Sequence, residues 1–110
     1  MYNDLKEKTG NEGSKKIDIE NTIKNFNIED ILSSKGRILI LKILAEMDEL
    51  NISAIARGAN LNHTVTTQHL EFLIKAGLVQ EKRFGRIKIF RYRIEDIKAR
   101  SLKKLFEIWE

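Results

Sequence analysis

Apolar residues along the chain follow a helical period, then a strand period, then a helical one again, and the switches mark element boundaries. Residues 1–16, MYNDLKEKTGNEGSKK, are polar and broken by Gly10 and Gly13, which predicts an unpacked arm. Ile19, Ile23 and Phe26 then fall at i, i+4 and i+7, one face of a short helix. Asn27 has the chemistry of an N-cap, with Glu29 and Asp30 in the first turn where the helix dipole favours acids. Beyond Ser33-Ser34, Ile38, Leu41, Leu44 and Ala45 recur at helical spacing. Ile40, Ile43 and Met47 widen that face, so this helix is largely buried and ends near Asp48-Glu49.

A tighter pattern follows. Ser53 is placed to cap a short helix over 54–57. Gly58 to Asn62 form a turn in which Gly58 and Asn60 tolerate positive φ and Leu61 plugs the angle between helices. Asn62 caps a second helix that runs to about Ala76, and Gly77 stands in the C′ position, where glycine adopts αL cheaply. Leu78-Val79 opens a strand, Gly85-Arg86 turns it, and Ile87 and Ile89 alternate into the return strand. From Ile94 the spacing is helical again, with Ile97, Leu102, Leu105, Ile108 and Trp109 on one side.

The stretch HLEFLIKAGLV, His69 to Val79, followed by GRIKIFRYRI, Gly85 to Ile94, resembles the winged-helix transcriptional regulators of the ArsR and MarR type. The likeness covers about residues 30–94. It implies an α+β, mostly α, fold: a winged helix-turn-helix with a two- to three-stranded wing and a C-terminal dimerisation helix. In such proteins the slot at Leu50-Asn51-Ile52 is a small strand paired with the wing. On this reading residues 17–93 form the DNA-binding domain, with its N-terminal helix, and 94–110 the dimerisation helix. The lack of proline, with 16 Ile and 13 Lys, fits an A·T-rich genome and a thermophile with an ion-pair-rich surface, and the resemblance implies an archaeal member of the family.

At 110 residues the chain has room for one domain with a modest core, so dimerisation is a natural source of added stability. The absence of cysteine removes disulfides, thiolate metal sites and cysteine catalysis together. No apolar run approaches the roughly 20 residues of a membrane helix, and the expectation is a cytoplasmic, nucleoid-associated protein. Residues 1–25 hold five lysines and five acids and sum to zero. Residues 80–93 hold Lys82, Arg83, Arg86, Lys88, Arg91 and Arg93 against Glu81 alone. The positive charge therefore sits on one hairpin, the footprint of phosphate binding. Edge-strand charge also keeps hairpins from aggregating, but the excess of arginine with Phe84, Phe90 and Tyr92 interleaved favours nucleic acid.

On a helical wheel, Thr66, Leu70, Leu73 and Gly77 make an inward stripe and Val65, His69, Phe72 and Ala76 the next. The opposite side carries Thr64, Thr67, Gln68, Glu71 and Lys75, with Asn62 and His63 at the first turn. An ordinary solvated face carries Lys and Glu from its first turn, whereas these first two turns hold no ionised residue. Asn62, His63, Thr64, Thr67, Gln68 and Glu71 are the candidates for the major groove: Gln pairs bidentately with adenine, and Thr offers a hydroxyl and a methyl. On the wing, Arg86 at the tip suits a narrow minor groove, and Lys82, Arg83 and Lys88 suit phosphates. Arg91 joins them, although Arg91 and Arg93 also have Glu95 and Asp96 as possible partners.

His63 and His69 stand six residues apart, not the i, i+4 pair that shares a metal, and no cysteine or acidic cluster joins them. His69 matches the histidine of the HLxxL pattern in the ArsR resemblance, at the helix–core boundary. ArsR-type metal sensors often carry cysteines on the first helix of the turn motif; that slot here reads Ile52-Ser53-Ala54-Ile55-Ala56, so metal sensing does not transfer. No cofactor is expected, and no catalytic constellation appears. The expected partners are double-stranded DNA and a second copy of the chain, held through Ile97, Leu102, Leu105 and Trp109, with no membrane. Alternatively, the last helix folds back onto 38–47 and leaves a monomer. A small-molecule effector at the dimer interface stays open. Two other uses of such a fold compete: an architectural chromatin protein of little sequence specificity, and a protein-interaction module, which the basic wing disfavours.

Overall fold

Side-chain caps decide where the described chain, residues 26–110 of the computed structural model, turns helical. The polar arm at 1–16 and the face carrying Ile19 and Ile23 lie outside the described residues. The Asn27 side chain accepts from the Asp30 backbone N–H and starts the single turn α1, Ile28–Ile31. Ser34 Oγ accepts from Arg37 N at 3.2 Å and starts α2, Lys35–Met47. Ile40, Leu41, Leu44 and Ala45 of α2 are buried, whereas Met47, expected to widen that face, is exposed in the last turn. Then come β1 (Glu49–Asn51), α3 (Ile52–Ala59), α4 (His63–Lys75), β2 (Val79–Phe84), β3 (Ile87–Tyr92) and α5 (Ile97–Trp109). The sheet is antiparallel in the order β1-β3-β2, with Leu50 opposite Phe90 and Val79 opposite Tyr92. Five helices and a three-stranded sheet among the described residues make a winged helix-turn-helix fold.

Two local expectations are corrected. Ser53 does not cap α3; Asn51 does, its side chain accepting from Ala54 N at 2.9 Å. The extended backbone of Asn51 closes β1 and opens the helix at once, so α3 starts ahead of the serine. Gly58 does not turn the chain either. It lies inside α3, and Asn60 takes the left-handed conformation at φ 56°. Gly58 serves contact: a Cβ there would stand 2.9 Å from Ile43 Cδ1 on α2, so the missing side chain lets the two helices approach.

The core forms where three faces meet. Leu70 and Leu73 of α4 pack with Leu41 and Leu44 of α2 and Ile55 of α3, all fully buried. Val79, Phe90 and Tyr92 close it from the inner face of the β2–β3 hairpin, and Ala99 and Leu102 from α5. The Tyr92 hydroxyl, whose pKa burial raises, donates to the Ala99 carbonyl and ties the wing base to α5. No described helix is long and apolar enough to cross a membrane.

Gly77 ends α4 as expected, at φ 82°. Leu78 N donates to Leu73 O and Gly77 N to Ile74 O, both at 3.0 Å, the bonding of a Schellman motif that turns the chain into β2. Gly77→Ala should lower stability by about 1 kcal/mol, the scale of a Cβ held at positive φ. Urea unfolding checks this, with the midpoint expected to fall at unchanged slope.

Candidate nucleic-acid interface

Helix α4 is placed by what it buries. Thr66 is a buried polar residue on α4, and it is tolerated because its hydroxyl donates to Asn62 O at 2.7 Å. With Thr66, Leu70 and Leu73 inward, the opposite side of α4 faces solvent: His63, Thr64, Gln68, Glu71 and Lys75 are exposed and Thr67 is half-buried. This is the face the wheel assigned. Its members differ in what they have left to offer. Asn62 uses its side-chain oxygen on Val65 N at 2.8 Å as the helix cap. Thr67 donates its only hydroxyl proton to His63 O at 2.9 Å and keeps a lone pair and a methyl. Thr64, Gln68 and Glu71 have no side-chain hydrogen bond among the described residues, so their full donor and acceptor sets are free.

The flank of α4 is clamped to α1 and α2. Phe72 meets Phe26 edge-on, ring centroids 5.2 Å apart, and the Arg37 guanidinium stacks 3.8 Å from the Phe72 ring centre. Arg37 also donates to the Asp30 carbonyl, while its buried Nε–H finds no partner among the described residues. Burial lowers the Arg37 pKa even with Asp30 near. His69 sits on the same flank, its Nε2 3.4 Å from Ser34 Oγ. That oxygen already accepts from Arg37 N, so its proton is available to a neutral imidazole. Burial first and Arg37 second lower the His69 pKa. The histidine thus lies at the helix–core boundary, as its place in the pattern implied.

Along the wing the structure redistributes the charge. At the base, Lys82 pairs with Glu49 at 2.9 Å, an acid of β1 that sequence distance hid. Arg91 holds Glu95 through two nitrogens, at 2.8 and 3.1 Å, and also donates to Gln80. Its guanidinium presses the exposed Glu95 carboxyl down to about 2. Arg93 pairs with Glu95 and donates to the Gly77 carbonyl. Arg83 keeps a contact with Glu81 on its own strand at 3.1 Å. Only Arg86 and Lys88, among the six wing cations and the described residues, have no carboxylate partner. The free positive charge therefore lies at the tip.

The C-terminal helix divides the expected interface set. Leu102, expected at the dimer interface, is 8% exposed and packs in the chain's own core, on the stripe that seals the domain, while also lining the cleft beside Ile97 and Leu105. Ile97, Leu105 and Trp109 remain open, Trp109 at 81%, and with them Ile108. Beside Ile97 and Leu105 runs an apolar cleft of about 380 Å³, also walled by Ile28 and Ile31. Lys42 pairs with Glu110 at 2.9 Å and draws the helix end toward α2. Among the described residues no group of three or more His, Asp or Glu side chains is placed to hold a metal ion.

Residues 34–81 match the family model described as "Bacterial regulatory protein, arsR family". Among solved structures, the homodimeric winged helix-turn-helix DNA-binding domain of a possible ArsR-family transcriptional regulator from Mycobacterium bovis is 30% identical. The match covers 72% of this chain and 71% of that one, with a TM-score of 0.62. NolR from Sinorhizobium fredii is 26% identical over 73% of this chain and 78% of its own, TM-score 0.61. A predicted DNA-binding transcriptional regulator from E. coli shares the fold at 18% identity, covering 76% of this chain and 85% of its own, TM-score 0.65. No curated protein matches the sequence. These organisms are bacterial, so the archaeal expectation gains no support from them.

The environment of His69 has a titration consequence. A histidine whose folded pKa is lowered stabilises the fold fully above its unfolded value, about 6.5, and that contribution is lost as pH falls toward the folded value. An NMR titration of His69 should show a midpoint below 6.5. Arg37→Gln should recover the smaller part of the shift, since burial is its larger cause.

Proposed function

The chain belongs to the ArsR family of winged-helix transcriptional regulators, and from that membership we propose that it is a homodimeric, sequence-specific DNA-binding repressor. The carrying observation is the contrast within the interface. The outer face of α4 holds uncommitted polar groups suited to base edges, and the wing tip holds the cations that no carboxylate neutralises. In this reading α4 enters the major groove. Gln68 pairs with adenine, Thr64 offers its free hydroxyl, and Thr67 presents a methyl and an acceptor. Glu71 accepts from a cytosine amino group, and His63 and the Asn62 amide border the first turn. Arg86 reaches the minor groove, and Lys88 and Arg83 hold phosphates. Lys82 and Arg91, bound to Glu49 and Glu95, shape the wing base and are not available without breaking those pairs.

Binding measurements over a salt series separate these roles. Arg86→Ala and Lys88→Ala should weaken binding to every duplex and lower the salt slope by about one unit for each phosphate no longer neutralised. Gln68→Ala should cost about 1–3 kcal/mol on the preferred site and little on random DNA. If the chain bound its own upstream DNA no better than random duplex at one salt concentration, an architectural role would replace the regulatory one.

The dimer rests on the exposed residues of α5, Ile97, Leu105 and Trp109, together with the adjoining cleft. The related domain from Mycobacterium bovis is homodimeric. Two copies would set two α4 helices about one DNA turn apart, roughly 34 Å, on an inverted repeat. Deleting the helix would not test this, because Leu102 and Ala99 belong to the core. Ile97→Asp with Leu105→Asp alters only exposed positions and should give a folded monomer in sedimentation at micromolar concentration. An unchanged sedimentation coefficient would rule this face out.

A further inference from the structure

The tip of the wing carries two features that the fold leaves largely exposed. Phe84 and Ile87 are direct cross-strand partners on one face of the hairpin, and each is 59% exposed. On the other face Arg83 stands directly opposite Lys88. Like charges opposed across a ladder destabilise the hairpin, and exposed apolar side chains near an edge strand invite association. Between them the Gly85-Arg86 turn projects a cation with no partner among the described residues. Nothing within 4 Å surrounds the Cβ position of Gly85, so the tip stands clear of the domain.

Each feature asks for a different covering, and one surface supplies both. A partner of this tip must be polyanionic to pair Arg86 and Lys88, Arg83 being held by Glu81, and must offer C–H surface within a few ångströms of its anions to cover Phe84 and Ile87. The minor-groove wall of DNA has that composition, with deoxyribose rings lying between successive phosphates. An acidic protein surface would satisfy the cations but not the apolar pair, and an apolar protein patch the reverse.

We propose that the wing tip is an amphipathic blade for the minor groove. Phe84 and Ile87 press on the deoxyribose rings of one wall, while Arg83 and Lys88 face phosphates and Arg86 enters the groove. The proposal rests on the DNA-binding reading above and extends it, because it assigns part of the wing's affinity to apolar contact that salt does not screen. Apolar side chains at the minor groove are a known way for proteins to gain grip on DNA. Lys82, held by Glu49, places its ammonium over the Phe84 ring at 5.9 Å from its centre, yet the ring stays 59% exposed.

The test compares the full chain with Phe84→Ala/Ile87→Ala and Arg86→Ala. The duplex is the one that the unaltered chain enriches from a random pool. The double variant should bind about tenfold more weakly, equivalent to about 1.4 kcal/mol, with an unchanged salt slope. Arg86→Ala should bind more weakly with a slope reduced by about one unit. At saturating protein, hydroxyl-radical cleavage, which attacks deoxyribose from the minor groove, should reappear at the flanking sugars in the double variant alone. Phe84→Leu/Ile87→Val, which keeps the apolar surface, should retain the protection. Affinity and sugar protection unchanged in the alanine variant would overturn the proposal, as would a change confined to sedimentation, which would assign the pair to contact between copies. If the unaltered chain enriches and binds no duplex, the DNA-binding reading fails first. If it binds and only Arg86→Ala weakens it, this inference alone fails.

Discussion

Everything at the interface depends on the burial of one stripe of α4. Thr66, Leu70 and Leu73 have almost no solvent exposure, and they pack where α2, α3 and the hairpin converge. Burying a leucine fully is worth roughly 1.5–3 kcal/mol. A rotation of α4 about its axis would lose both leucines at once. The outer face is thereby fixed without any interaction of its own. Its residues are free to be chosen for recognition, because the stability of the helix comes from the other side.

The flank contacts add a second constraint, against tilt instead of rotation. Arg37 on the Phe72 ring, Phe26 at its edge and His69 near Ser34 join α4 to the start of α2. A stacked guanidinium contributes on the order of 0.5–2 kcal/mol, which offsets part of the cost of the buried Nε–H that finds no acceptor among the described residues. At the other end Gly77 closes α4 and joins it to β2, with Arg93 bonded to the Gly77 carbonyl. The end of α4 and the base of the wing are therefore tied together by backbone and side-chain bonds.

Much of this was legible along the chain, and the errors share a cause. Asn62, Gly77 and the stripe of Leu70 and Leu73 were readable because cap, stop and period are local properties. Asn51 was missed because a residue that ends a strand can also cap the following helix, and nearby Ser53 has the same chemistry. Gly58 was misread because a helical glycine needed for close packing on Ile43 looks, in sequence, like one needed for a turn. Leu102 shares its spacing with Leu105, yet one is buried and the other exposed, and the partner that decides it lies in distant elements. The pairing of Lys82 with Glu49 across 33 residues belongs to the same class.

That pairing changes how the basic hairpin should be understood. Counted along the chain, the wing cations form one uniform patch. In three dimensions Glu49 and Glu95 neutralise its base, Glu81 holds Arg83, and Arg86 and Lys88 at the tip have no carboxylate partner among the described residues. Such exposed pairs add little to stability, so their effect lies in the field they shape more than in the energy they contribute. A hairpin charged along its whole length would be attracted to DNA in many poses. Charge confined to the tip, at a fixed distance from a helix that cannot rotate, favours the pose in which helix and tip engage together. On the proposed DNA-binding reading, the carboxylates at the wing base would serve specificity by removing attraction where it would not select an orientation.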